Sequence, residues 1–140
     1  MDCVVDVSYS AGWFQPSQGH EAGTRLLKAY LGGEVTVICP SIWSHEVLNL
    51  LLTATRRKTL SESQADAGLE LLNALEIRIE EDHSEIINRR LYRLARQFAL
   101  SAYDAAYLEL ADRLHVPLLT RDHDLLAAAK QRQLPVTLSL

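Results

Sequence analysis

The chain has 140 residues, 48% apolar and 23% charged, the ordinary balance of a globular protein able to bury a core without staples. Its net charge of −4 and pI near 5.7 argue against a protein that coats nucleic acid by broad electrostatics, though not against an enzyme whose acids are concentrated at one site. No apolar run approaches the roughly 20 residues of a membrane span, and Asp2 and Asp6 interrupt the first apolar stretch, so no secretory leader is read; the expectation is one cytoplasmic domain over residues 1–140.

Short strand-like runs alternate with longer helix-like ones. Cys3-Val4-Val5 is an apolar strand ending at Asp6. A helix is expected from about Glu21 to Leu31, stopped by Gly32-Gly33. Val35 to Cys39, closed by Pro40, reads as a buried strand, and Ser41 to about Lys58 as the next helix. Ser61 to Gln64 matches a capping box that opens a helix to about Ala74. Ile77 and Ile79 alternate with Arg78 and Glu80, a short strand exposed on one face. A long helix follows from Asp82 to Ala99, and another begins at Ser101 and runs to about Leu114. Pro117 to Thr120 is a buried strand, Leu125 to Arg132 a helix, and Val136 to Leu138 a last strand. Cys3 and Cys39 lack the close pairing of a zinc site and read as two buried, reduced thiols.

Strands separated by helices imply parallel pairing with right-handed crossovers, and such sheets bind ligands beyond the carboxyl ends of their strands, where strand order reverses. Two strands end in acids there, Val4-Val5-Asp6 and Leu118-Leu119-Thr120-Arg121-Asp122. Each acid also has a structural reading. Asp6 could be a turn or helix cap. Glu46 could belong to a solvated helical stripe with Asn49, Thr53 and Arg57. Asp104 could complete a cap begun by Ser101. Of Asp122 and Asp124 one is an N-cap, which leaves the other free; Asp122, nearer the strand end, is the site candidate. Clustered carboxylates repel, by about 4 kcal/mol for two unit charges at 4 Å and an effective dielectric of 20. Hard divalent cations relieve that repulsion, polarise phosphoryl oxygens and activate water, a chemistry suited to phosphodiester hydrolysis.

In chain order the motifs resemble those of PIN-domain nucleases. Val4-Val5-Asp6-Val7-Ser8 looks like the first, and Pro40 to Asn49, with Glu46 and its downstream Asn, like the second. Leu100 to Ala111, containing Ser101-Ala102-Tyr103-Asp104, is similar to the third and the most specific; Leu119-Thr120-Arg121-Asp122 resembles the fourth. Within that family the chain looks most like VapC-type toxins of bacterial toxin–antitoxin pairs. The resemblance implies an α/β, PIN-like three-layer sandwich, with a five-stranded parallel sheet in the order 3-2-1-4-5 between helices. It implies Asp6 and Asp104 as principal ligands of magnesium or manganese, Glu46 and Asp122 completing the catalytic site, and Ser8, Asn49 and Thr120 at supporting polar positions. It also implies RNA as substrate (commonly transfer or ribosomal RNA), a homodimer, and a small antitoxin that blocks the site.

Other features stay open. Arg56-Arg57-Lys58 and the set Arg89, Arg90, Arg93 and Arg96 could hold phosphates or form a solvated, salt-bridged face. Trp13 and Phe14 could stack bases, receive an antitoxin segment or pack over the core. The five histidines share no spacing and none is assigned. Two competing classes are a phospho-acceptor receiver, which lacks its late-strand Lys here, and a non-catalytic RNA-binding or scaffolding relative, whose usual mark is loss of acids that this chain retains.

Overall fold

The computed structural model describes residues 1–140. Four parallel strands, β1 (Asp2–Val5), β2 (Thr36–Pro40), β3 (Arg78–Glu80) and β4 (Leu118–Leu119), form one sheet in the order β3-β2-β1-β4. Helices α1 (Val7–Phe14) and α2 (Glu21–Leu31) connect β1 to β2. Helices α3 (Ile42–Arg56) and α4 (Glu62–Ala74) connect β2 to β3, and α5 (Glu85–Phe98) and α6 (Ala102–Leu114) connect β3 to β4; α7 (His123–Gln131) follows β4. The central strands are buried residue after residue, Cys3 to Val5 in β1 and Val37 to Pro40 in β2, as a parallel sheet covered on both faces requires. Helix α6 packs on β1, β2 and β4 and carries α5 and α7 against it, while α1 to α4 pack on one another as a second group. No helix is long and apolar enough to cross a membrane.

Local chemistry fixes the element ends. The expected capping box at Ser61 and Gln64 forms, with bonds of 2.8 and 3.1 Å in both directions. Gly33, at φ +76°, supplies the left-handed residue that ends α2. Gly12 is demanded by a close approach, since a Cβ there would lie 2.4 Å from Gly19 Cα, so the turn at Pro16–Gln18 folds tightly back on α1. Cys3 and Cys39 are buried and unpaired, and burial lifts the Cys3 thiol to about 12.

Two expectations are corrected. The sheet has four strands and the order 3-2-1-4, not five in the order 3-2-1-4-5, because Val136 to Leu138 forms no ladder. The tail makes one sheet-like bond, Leu118 N–H to Pro135 carbonyl at 3.0 Å, and Pro135 has no N–H to return. The helix expected from Asp82 starts at Glu85. Asp82 instead accepts from the Ser84 backbone N–H at 2.8 Å, and the Ser84 hydroxyl caps the helix at Ile87.

Candidate active site

Strand order reverses between β1 and β4, whose register pairs Val4 with Leu118 and Val5 with Leu119. The next residue of each strand therefore emerges beside the other. The Asp6 backbone N–H donates to the Leu119 carbonyl at 3.2 Å, and Thr120 follows at once. Asp6 is 4% exposed and caps α1 by accepting from Tyr9 N–H at 3.2 Å. Its two carboxylate oxygens also accept from the Ser8 hydroxyl at 2.7 Å and the Thr120 hydroxyl at 2.8 Å. Those hydroxyls are themselves fixed. Ser8 Oγ accepts from Arg121 N–H at 2.8 Å, and Thr120 Oγ1 accepts from Asp122 N–H at 3.0 Å. Ser8 and Thr120, two of the three expected supporting residues, thus latch the two strand ends around one carboxylate. Behind it, the Trp43 indole donates to Ser10 Oγ, and Ser10 donates to the Asp6 carbonyl.

Glu46 projects from α3, half-buried, and accepts from the Tyr107 hydroxyl at 2.5 Å. Tyr107 is almost fully buried on α6, one turn beyond Asp104. Its position in an apolar helix at three residues from an acid was the available signal; sequence reasoning passed over it because a tyrosine in such a run reads as core. Asp104 sits in the first turn of α6, and its backbone N–H donates to the Ser101 hydroxyl at 3.1 Å. The reciprocal bond of a capping box is absent, in contrast to Ser61 and Gln64. Asp122 caps α7 with one oxygen, accepting from Leu125 N–H at 2.8 Å. Asn49, one turn beyond Glu46, is exposed.

Electrostatics ties these acids together. Burial pushes the Asp6 carboxyl above its ordinary range, opposed by Ser8, Thr120 and Tyr9, and the Asp122 charge adds to the rise. Burial also raises Glu46, opposed by Tyr107, and the charges of Asp6 and Asp104 raise it further. Asp104 is raised by burial and then by Asp122, with Ser101 opposing and Asp124 contributing. Burial and the bond to Glu46 push the Tyr107 phenol far up, so it remains a donor. Four carboxylates from four separate elements therefore lie within one another's field, and Asp124 reaches its margin. No three of them stand close enough to hold one ion together. The donor set, all carboxylate oxygen and mutually repelling, fits a hard divalent cation of the kind that keeps several waters and takes only one or two carboxylates from the protein.

The other features resolve differently. Phe14 is buried and the Trp13 indole donates to the Gly23 carbonyl at 2.8 Å, so both pack rather than offer stacking faces. Arg89 pairs with Glu85, and Arg96 lies over the Tyr92 ring at 5.6 Å. Arg90 turns inward towards Glu109 and Asp112.

The chain is similar to known proteins in sequence and in fold. The PIN domain family profile matches residues 3–131. Ribonuclease VapC3 of Pyrobaculum aerophilum is 30% identical over 129 residues, 89% of this chain and 92% of that protein. Ribonuclease VapC1 of Mycobacterium tuberculosis is 33% identical over 127 residues, 91% and 90% of the two chains. Among solved structures, PAE2754 from Pyrobaculum aerophilum superposes with a TM-score of 0.69 at 20% identity, over 91% of this chain and 84% of that one. VapBC2 from Rickettsia felis, solved bound to a DNA fragment from their promoter, gives a TM-score of 0.62 at 14% identity, over 99% and 98%.

Proposed function

The chain belongs to the PIN domain family, and from that premise we propose that it is a metal-dependent endoribonuclease that hydrolyses RNA phosphodiester bonds as the toxin of a type II toxin–antitoxin pair. One observation carries the reading. Asp6, Glu46, Asp104 and Asp122 converge at the strand-order reversal with no arginine or lysine paired to any of them. Relatives named as VapC ribonucleases, at 30% and 33% identity, support the same class.

Asp6 and Asp104 are the proposed principal ligands of magnesium or manganese, with Glu46 and Asp122 completing the site. A bound divalent cation there supplies positive charge for the phosphoryl oxygens and lowers the pKa of water. The chain's own groups do the rest. The Ser8 and Thr120 hydroxyls each hold one Asp6 oxygen in place. Tyr107 holds one Glu46 oxygen and leaves the other to orient water, and Asp122 keeps its second oxygen free of the helix cap. Asn49, exposed one turn beyond Glu46, is the residue proposed to position substrate. Transfer or ribosomal RNA, a homodimer in the cytoplasm and a small antitoxin blocking the site complete the proposal.

Labelled RNA incubated with the protein under a magnesium and manganese titration tests it. Cleavage that needs the ion and disappears in Asp104→Asn is expected. Cleavage that persists in excess chelator, or in that variant, would overturn the assignment.

A further inference from the structure

The stripe Glu46, Asn49, Leu50, Thr53 and Arg57 on α3 is more than a solvated helix face. It forms one wall of a groove of about 530 Å³, and Gln15, Ser17 and Gln18, from the turn after α1, form the other. The tight return of that turn on Gly12 brings those residues opposite α3. One end of the groove is the site carboxylate Glu46. At the other end Arg57 is exposed at the carboxyl terminus of α3, with no carboxylate paired to it. Eleven residues at about 1.5 Å each separate the two ends by about 16 Å, a span of a few nucleotides.

The lining is unusual in composition. Between the two charges it offers carboxamides and hydroxyls beside the apolar Val7, Leu50 and Ala54, with no aromatic ring. Indiscriminate single-strand binders rely on stacking platforms and runs of cations, whereas amides and hydroxyls read base edges through hydrogen bonds. Gln15 is already committed, donating to Thr59 at 3.2 Å across the groove, while Gln18 and Asn49 are exposed.

We propose that this groove is the strand-reading subsite of the protein: Arg57 holds a backbone phosphate of single-stranded RNA a few nucleotides from the scissile bond, and the carboxamides of Gln18 and Asn49 select the bases between. The assignment rests on the nuclease reading for its ligand class, but its test is by binding and so is separable from cleavage. Asp104→Asn protein, once its melting curve shows it folded, is titrated with a fluorescent, randomised 20-nucleotide RNA at several salt concentrations. Adding Arg57→Gln is expected to weaken binding about tenfold. It should also reduce the slope of log affinity against log salt by about 0.7, the signature of one lost single-strand phosphate contact. Gln18→Ala is expected to leave that slope alone and to change which sequences are retained from the pool. RNA binding with these effects but no cleavage by the wild type would sink the nuclease and leave the groove standing. An unchanged salt slope in Arg57→Gln, unchanged sequence retention in Gln18→Ala, or no RNA binding at all would overturn the groove assignment and leave the surface to a peptide.

Discussion

The molecule holds two gatherings of acids, and they are built on opposite rules. At the strand ends, Asp6, Glu46, Asp104 and Asp122 meet hydroxyls, backbone N–H groups and each other. Between α5, α6 and α7, Glu109 and Asp112 meet arginines instead. Glu109, 2% exposed, pairs with Arg113 at 3.0 Å, and Asp112 pairs with Arg132 at 2.7 Å and Arg90 at 3.4 Å. A buried charge with a partner is a structural clamp. Acids assembled without cations keep an unmet electrostatic demand, which is what a site for a cation and a phosphodiester requires.

The largest effect that could break this contrast is catalytic. Asp104→Asn is expected to lower RNA cleavage on the order of 10²–10³-fold while leaving the metal-free melting temperature equal or higher, because repulsion falls. Marked unfolding of that variant, seen by calorimetry, would put Asp104 among the clamps. The matching change in the other cluster, Arg113→Met, is expected to cost about 2 kcal/mol in urea unfolding, since it removes the shorter of the two arginine pairs to the buried Glu109 carboxylate and leaves only Arg90. Its cleavage rate per folded molecule should stay at the wild-type value. Tyr107→Phe is intermediate: with one hydrogen bond to Glu46 removed, a roughly tenfold fall in kcat is expected with little change in KM.

The smallest effects sharpen the comparison through protons. Asp6, Glu46 and Asp104 have folded pKa values above their ordinary 3.8, 4.5 and 3.8, so in that window the folded chain holds more protons than the unfolded one. Their contribution is complete below the ordinary values and is lost as pH rises through the raised ones. The metal-free protein should therefore melt a little higher on moving from neutrality into weak acid. Glu81 and Asp82, both lowered, act with the opposite sign at still lower pH. Millimolar manganese should raise the melting temperature at neutrality and flatten that rise, by binding only the folded form. A melting temperature that falls steadily with acid and ignores manganese would contradict an unpaired cluster.

Much of this was legible in the residues. Apolar runs of strand length bounded by Gly, Pro and capping residues placed the central strands and every helix but α1. The acids at the ends of Val4-Val5 and Leu118-Leu119 anticipated the reversal point. What escaped reading has physical causes. The tail after Leu134 has apolar residues but a proline where a ladder needs a donor. Asp122 and Asp124 were set against each other as cap and site acid, yet a carboxylate has two oxygens, and Asp122 caps α7 with one while its charge reaches Asp6 and Asp104. Tyr107 and the inward turn of Arg90 depend on which helix faces which, and spacing along one helix carries no such information.

The bond from Thr120 to Asp6 joins residues 114 apart. The Asp6 carboxylate thus owes one of its two hydroxyl partners to a segment far along the chain. That carboxylate therefore reports on the finished fold, since only a molecule that has brought β4 back beside β1 holds it clamped.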